Sequence, residues 1–183
     1  MRLFIAIEIS NDMRGELAGI LKTLKERSCG GRFVPVENFH ITLHFIGESE
    51  SSNEAMEAVR ETCAEARPFT LSLGRYGFFD KIAGGRRTGV VEIEGELDAL
   101  NELRDMLETA LEAHGFQRDQ KRFKPHITLG RNIEHDELVA DELRSIPLGA
   151  SVRVEGITLF ESTRVKGRMV YTPLMKEKFA EIE

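Results

Sequence analysis

The sequence has little cysteine and no long hydrophobic segment, and each absence excludes a class of protein. Cys29 and Cys63 are the two cysteines among 183 residues, too few for a four-cysteine zinc site or a disulfide framework. We interpret both as reduced thiols of a cytoplasmic protein and neither as a nucleophile. No apolar run approaches the roughly 20 residues that cross a membrane. The apolar start stops at Glu8, short of a signal-peptide core, so we interpret it as a strand.

A surplus of basic charge is also missing. The formal net charge is −6, which argues against an extended nucleic-acid-binding surface, because neutralising many phosphates requires clustered lysine and arginine. This charge does not exclude recognition of one phosphate at a strand end. Short basic clusters lie at 86–87, 118–124 and 164–168. Their default interpretation is a solvated loop, although Arg86 and Arg87 would also suit contact with a nucleic-acid chain.

Hydrophobic periodicity predicts an α+β fold. We expect a single domain, residues 1–183, because no linker rich in Gly, Ser or Pro divides the chain. The predicted order is β-α-β-α-β-β-α-β-α-β-β, without the regular βαβ spacing of a doubly wound parallel sheet. Ser51 and Glu54 have the spacing of a helix capping box. A loop is predicted at 81–87. Strands are predicted near 2–9, 39–46, 88–94, 126–131, 151–161 and 168–175, and another begins at Phe69.

The tetrapeptide His40-Ile41-Thr42-Leu43 recurs unchanged at positions 126–129. A repeated tetrapeptide alone is weak evidence, but both copies open a stretch of alternating apolar residues. Side chains two residues apart share one face of a strand. Each copy therefore presents an imidazole and a hydroxyl on one face and two aliphatic side chains on the other. Such strands are suited to line a cleft above a hydrophobic core.

Two imidazoles suit the hydrolysis of a cyclic phosphodiester. One takes a proton from water and the other protonates the leaving oxygen, and histidine does both near neutral pH. Threonine hydroxyls can donate hydrogen bonds to the phosphate oxygens as charge develops. A packed, hydrogen-bonded pair is the ordinary interpretation of a single His-x-Thr, and zinc binding is the other interpretation of paired histidines. No third ligand stands at a recognisable zinc spacing.

The other three histidines are interpreted separately. By strand alternation His44 shares the face of His40, so it either lines the cleft or lies at the surface. His114 precedes Gly115 at a helix end, where a cap facing the helix dipole is the simplest interpretation. His135 precedes a helix and is expected to be exposed.

These motifs resemble the two-histidine phosphoesterase superfamily, specifically the bacterial and archaeal RNA 2',3'-cyclic phosphodiesterases once called 2'-5' RNA ligases. The resemblance runs nearly from end to end, and paired signatures in this order are highly specific. Phe33 stands where many members carry tryptophan. The segments that carry the resemblance are 1–6, 35–47, 123–131, 159–162 and 171–174.

The resemblance implies a bilobal fold in which two pseudo-symmetric antiparallel-sheet lobes, with outer helices, face each other across a central cleft. It implies that His40 is the proton donor and His126 the proton acceptor, with Thr42 and Thr128 holding the phosphate. The two histidines would need neither a metal ion nor another cofactor.

Arg131 matches a phosphate-binding arginine of the family, and Phe45 matches an aromatic residue near the nucleoside. Simple alternation turns both side chains away from the histidine face. Their implied roles therefore require each strand to end, twist or bulge at this point.

The resemblance further implies hydrolysis of terminal 2',3'-cyclic phosphates of RNA to 2'-phosphates, with weak reversible 2'-5' ligation. The partners would be RNA ends, such as tRNA-like fragments or oligonucleotides with a cyclic phosphate, bound by a monomer away from membranes. Two alternatives stay open. One is a phosphodiesterase of small cyclic nucleotides or 2'-5' linked oligonucleotides, and the other is a non-catalytic sensor of cyclic-phosphate ends. Intact His and Thr at all four motif positions disfavour the sensor.

Overall fold

The computed structural model describes residues 1–80 and 86–181, so positions 81–85 of the predicted loop lie outside the described residues. A short 3-10 turn at Val36–Asn38 accompanies the helices and strands. In chain order these are β1 (Arg2–Glu8), α1 (Asn11–Arg27), β2 (Arg32–Phe33), β3 (His40–Glu48), α2 (Ser52–Glu65), β4 (Phe69–Asp80), β5 (Arg87–Gly95), α3 (Leu97–Ala113), β6 (His126–Ile133), α4 (Glu137–Arg144), β7 (Ser151–Val154), β8 (Gly156–Val165) and β9 (Arg168–Lys178).

The strands form two antiparallel sheets. One has the order β3-β1-β8-β9 and the other the order β2-β6-β5-β4-β7. Apart from β2, the two orders correspond strand for strand: β1-α1-β3 in the first lobe matches β5-α3-β6 in the second. The strand after α2 crosses to the second sheet and pairs with β5, and β8 crosses back to pair with β1. The predicted α+β fold with two pseudo-symmetric lobes is confirmed.

One hydrophobic core runs beneath both sheets and is closed by the helices. The alternation of β1 places Leu3, Ile5 and Ile7 in this core, each at most 1% exposed. The helices contribute one apolar stripe each, because their apolar residues recur at three- and four-residue spacing. A second, smaller cluster of Phe4, Ala6 and Phe160 lies on the opposite face of the first sheet. That face carries the first motif, because the ring of Phe4 lies 4.9 Å from that of His40.

The helix starts partly follow the sequence signals. The sequence predicts Asn11 as the cap of α1, but Ser10 takes that position, its hydroxyl accepting the amide of Met13 at 3.2 Å. Asp136 caps α4 and accepts the amide of Val139 at 2.9 Å. Ser51 precedes α2, but its side chain makes no capping hydrogen bond. The predicted capping box is therefore wrong.

Two short strands are not visible in the periodicity. Strand β2 has two residues and pairs with β6, and two residues show no alternation. The single strand predicted at 151–161 is broken at Glu155, because β7 pairs with β4 of the second sheet whereas β8 pairs with β1 of the first. The chain changes sheets at this point, which hydrophobic alternation alone does not record.

The two cysteines lie apart. Cys29 is exposed and Cys63 is buried, and both are free thiols. Burial raises the pKa of Cys63 to about 12, which keeps the thiol protonated and agrees with the prediction that it is not a nucleophile. Within 1–80 and 86–181, none of the helices has the length and apolar character needed to cross a membrane.

Helices α2 and α3 are joined by His114, which lies at the C-terminal cap of α3 as expected. Its ring, however, contacts the neighbouring helix. Nδ1 lies 3.0 Å from Glu54 and Nε2 lies 2.8 Å from Glu61. Hydrogen bonds to Glu61 and then Glu54 raise the pKa of His114. The protonated ring thus clamps two helices together.

We predict that His114→Ala lowers the melting temperature at pH 6 and has little effect at pH 9. The pKa of His114 is raised by folding, so its stabilising contribution is fully present below the unfolded pKa of about 6.5 and is lost as the pH rises through the folded pKa. Thermal melts at both pH values measure this. Arg60→Ala on α2 is the control, because Arg60 pairs with Glu57 one turn away on the same helix; its effect should be the same at both pH values. An equal loss for His114→Ala at both pH values contradicts the clamp.

Candidate active site

The two His-x-Thr motifs begin strands β3 and β6, which contact each other where the lobes meet. Their aliphatic residues are buried in the core, and their histidines and threonines are half-buried on the opposite face. The aliphatic residues are Ile41, Leu43, Ile127 and Leu129, each at most 2% exposed. The arrangement agrees with the predicted strands that separate a core from a cleft.

Both imidazoles are held in the same way. Nδ1 of His40 lies 2.7 Å from the carbonyl oxygen of Asn38, and Nδ1 of His126 lies 2.6 Å from that of Lys124. A carbonyl oxygen only accepts hydrogen bonds, so Nδ1 carries the proton in each ring. Nε2 is therefore the nitrogen left for chemistry in both motifs. In the first motif it lies 2.8 Å from the hydroxyl of Thr42.

The electrostatics of His40 link the two lobes. Burial is the main cause that lowers the pKa of His40, and the positive charges of Arg131 and His126 lower it further. The hydrogen bond to Asn38 opposes this shift. Arg131 and His126 belong to the second sheet, so the two motifs share one electrostatic environment. These causes favour the neutral form of His40 in the free protein.

A β-bulge in β3 decides which way the following side chains point. Along the pairing with β1, Ile5 lies opposite His44 and Ala6 lies opposite Thr42. Leu43 is therefore an extra residue, and it reverses the alternation of the strand.

Strand β6 carries the equivalent bulge. Along its pairing with β5, Gly89 lies opposite Gly130 and Val90 lies opposite Thr128. Leu129 is the extra residue and occupies the position that Leu43 has in the first motif. The pseudo-symmetry of the lobes thus extends to this local irregularity.

The bulges return Phe45 and Arg131 to the histidine face. Phe45 is 51% exposed, and its ring stacks on that of Phe4 at a centroid distance of 6.5 Å. Phe4 in turn lies 4.9 Å from the ring of His40. Arg131 is likewise exposed. Both strands therefore bulge before Phe45 and Arg131, as the implied roles of these two residues require.

Aromatic side chains enclose the two histidines. Tyr171 meets His40 edge-on at 5.3 Å, and Phe79 meets His126 edge-on at 5.2 Å. A cavity of about 160 Å³ opens beside His40 and is lined also by Asn38 and Tyr171. This surface offers apolar contact to a sugar or base beside two polar imidazoles.

Three polar residues lie elsewhere than expected. His44 neither lines the cleft nor lies at the surface, because the bulge turns it inward; it is 5% exposed. Arg87 lies opposite the core residue Ile133 and packs on Phe78, so it belongs to neither a solvated loop nor the cleft. His135 is half-buried, with Nε2 2.7 Å from the hydroxyl of Tyr76.

Sequence reasoning missed two buried charged residues beside the first motif. Arg104 and Glu108 lie on α3 among its core leucines, and Glu108 contacts His44. Their signal is a pair of opposite charges, four residues apart, inside an apolar helical stripe. In the part of the chain that the structure describes, no group of three or more His, Cys, Asp and Glu side chains is arranged to hold a metal ion.

The chain belongs to the 2'-5' RNA ligase superfamily, whose family model matches residues 14–166. An RNA 2',3'-cyclic phosphodiesterase of Archaeoglobus fulgidus is 36% identical over 147 residues, covering 79% of this chain and 80% of that one. One of Thermotoga maritima is 29% identical over 185 residues, covering 98% and 96%. The crystal structure of Escherichia coli LigT complexed with 3'-AMP superimposes with a TM-score of 0.76 at 26% identity, covering 98% of each chain. The family inferred from the motifs is confirmed.

We predict that Arg131→Gln raises the pKa of His40. The guanidinium charge disfavours protonation of His40, and the uncharged amide removes that effect. Titration of the histidine ring signals by NMR measures the change. His114, bound to α2, is the internal reference whose pKa should stay constant. A His40 pKa that is the same in both proteins would contradict the shared environment of the two motifs.

Proposed function

We propose that the protein hydrolyses the terminal 2',3'-cyclic phosphate of RNA to a 2'-phosphate. The observation that carries this proposal is the matched pair of imidazoles, one from each lobe, with Nδ1 held by a carbonyl and Nε2 left for proton transfer. Support comes also from the relatives in Archaeoglobus and Thermotoga that are RNA 2',3'-cyclic phosphodiesterases, and from the binding of 3'-AMP by the similar LigT.

In the proposed reaction His126 is the base and His40 is the acid. Nε2 of His126 takes a proton from water as the water oxygen bonds to phosphorus. The bond between phosphorus and O3' breaks, and Nε2 of His40 gives its proton to O3'. The product carries the phosphate on O2'. Each proton transfer by a positioned group is typically worth about 10²–10⁴-fold in rate.

The lowered pKa of His40 makes its role as the acid depend on the substrate. In the free protein, burial and neighbouring positive charge keep the ring neutral. An anionic phosphate between the motifs favours the protonated ring, because an opposite charge within a few ångströms raises the pKa of histidine. Substrate binding and protonation of His40 are therefore coupled in this mechanism.

The other predicted site residues bind the substrate. Thr42 and Thr128 donate hydroxyl hydrogen bonds to the phosphate oxygens, and Arg131 offers a bidentate guanidinium. Phe45 gives the terminal base an exposed aromatic surface. The bulges at Leu43 and Leu129 support these roles, because without them Phe45 and Arg131 would point away from the histidines.

The proposal includes finer points. The whole chain acts as one two-lobed domain, because each lobe supplies one histidine. Attack by a 5'-hydroxyl end in place of water gives weak, reversible 2'-5' ligation, since His126 takes the hydroxyl proton as the 5' oxygen bonds to phosphorus, and His40 protonates O3' as its bond to phosphorus breaks. A cytoplasmic monomer acting on RNA ends remains the prediction from the sequence, and small cyclic nucleotides or 2'-5' linked oligonucleotides remain the alternative substrates.

We predict that turnover needs no added divalent metal, because two imidazoles supply both proton transfers and the strained cyclic phosphate is already reactive. Purified protein in excess EDTA should convert a cyclic-phosphate oligonucleotide to the 2'-phosphate at the rate found without EDTA. Chromatography against 2'- and 3'-phosphate standards identifies the product. Turnover that disappears in EDTA and returns with zinc or magnesium contradicts the two-histidine mechanism.

We also predict that His40→Ala and His126→Ala each lower turnover by about 10²–10⁴-fold, and that the double variant loses less than the product of the two. Cooperating catalytic groups are strongly non-additive because either loss already disables the step. Both variants should stay folded by circular dichroism, since the rings face the cleft. His114→Ala is the control histidine and should keep near-parental turnover. A folded His126→Ala protein with parental turnover would refute the assignment.

A further inference from the structure

A charged cluster lies buried beside the first motif, and the proposed acid–base reaction does not use it. Its members are His44 on β3 and Arg104 and Glu108 on α3, which are 5%, 8% and 1% exposed. Asp119, in the segment between α3 and β6, completes it. Buried charges are costly unless each is paired and hydrogen-bonded. A fully connected cluster of this kind next to a reaction site is a candidate for a role in the reaction.

One side of the cluster holds strand β3. Nδ1 of His44 lies 2.5 Å from Oε1 of Glu108. Nε of Arg104 donates to the carbonyl oxygen of Leu43 at 3.2 Å. Leu43 is the bulge residue, so Arg104 bonds the point at which the strand reverses its alternation. The bulge that aims Phe45 at the cleft is therefore fixed from behind.

The other side of the cluster holds the segment 114–125, which leads into the second motif. Oε2 of Glu108 accepts the amide of Asp119 at 2.9 Å, and Arg104 donates to the carboxylate of Asp119 at 3.2 Å. The guanidinium of Arg104 also lies 4.7 Å from the ring centre of Phe123. The next residue is Lys124, whose carbonyl holds Nδ1 of His126.

We infer that Glu108 and Arg104 are positioning residues that set the separation of the two catalytic histidines. The two oxygens of one carboxylate bond opposite partners, Oε1 on β3 and Oε2 on the segment before β6. One side chain of α3 thus contacts both β3 and the segment that leads into β6. The inference rests on the proposed function, in which the phosphate must fit between His40 and His126.

The arrangement is not repeated in the second motif. Gly130 takes the place of His44 there, and a side chain at this position would come within 2.9 Å of the backbone oxygen of Arg32. Strand β2 occupies the space instead. The cluster therefore acts once, between the lobes, and is not a general feature of the His-x-Thr strand.

The test compares His44→Leu with His44→Gln. Leucine removes the donor to Glu108, whereas the glutamine amide keeps one. His44→Leu should lower kcat by roughly 10²-fold, the effect of misplacing reacting groups by about 1 Å, with little change in KM. His44→Gln should recover most of the loss. Asp119→Ala removes the carboxylate that accepts Arg104 and the amide of Lys121; it should lower kcat in the same direction and serves if His44→Leu does not fold.

A stability control separates positioning from general loosening. Val59→Ala removes buried volume from α2 away from both motifs, and its kcat should remain parental at a temperature where every variant is folded. Parental kcat in both His44→Leu and Asp119→Ala overturns the inference. A kcat in Val59→Ala that falls as far as that of His44→Leu, at a similar loss of melting temperature, also overturns it.

NMR separates this inference from the proposed function. If the parent protein does not hydrolyse cyclic phosphate, the proposed function fails, yet the ring signals still report positions. In His44→Leu the signals of His126 should shift together with those of His40, because the Glu108 carboxylate that loses His44 also bonds the amide of Asp119 in the segment 114–125. A shift confined to β3 shows that the cluster does not connect the motifs.

Discussion

Each histidine strand has to pack against a core on one face and present reacting groups on the other. Strict alternation satisfies this for His-Ile-Thr-Leu but would turn the second residue after the motif, Phe45 or Arg131, into the core. The bulges at Leu43 and Leu129 resolve the conflict, because one extra residue in each strand brings Phe45 and Arg131 back to the histidine face. The composition of the cleft follows from this single irregularity, made twice. Each bulge interrupts the hydrogen-bond ladder between its strand and the neighbouring strand, and neighbouring groups stabilise the interruption.

The exchange of strands between the lobes brings the two motifs together. Strand β4 leaves the first half of the chain to pair with β5, and β8 leaves the second half to pair with β1. Each sheet therefore contains strands from both halves, and one hydrophobic core joins them. This topology makes the separation of His40 and His126 a property of packed sheets rather than of a flexible connection. Burial is the main cause that lowers the pKa of His40, and the charges of Arg131 and His126 in the second lobe lower it further.

Much of this organisation could be predicted from the sequence. The repeated motif, its placement on strands and the α+β class all follow from alternation over short distances. The bulges could not be located from alternation. In each copy two consecutive residues face the core, and the second of them is His44 in the first copy and Gly130 in the other. Two consecutive aliphatic residues would have marked the reversal, but a histidine and a glycine conceal it. The prediction that His44 lines the cleft or lies at the surface was wrong for this reason. Its partner Glu108 is 64 residues away, and a single sequence does not reveal such a contact.

The pH dependence of kcat/KM for a cyclic mononucleotide tests the acid–base pair most directly. The parent should give a bell-shaped profile, with one limb from the histidine that must be neutral and one from the histidine that must be protonated. His40→Ala and His126→Ala should each lose one limb, and the two variants should lose different limbs. Buried His44 is held by Glu108 and is not placed to substitute for either ring. A bell that persists unchanged in both single variants would show that other groups carry the protons.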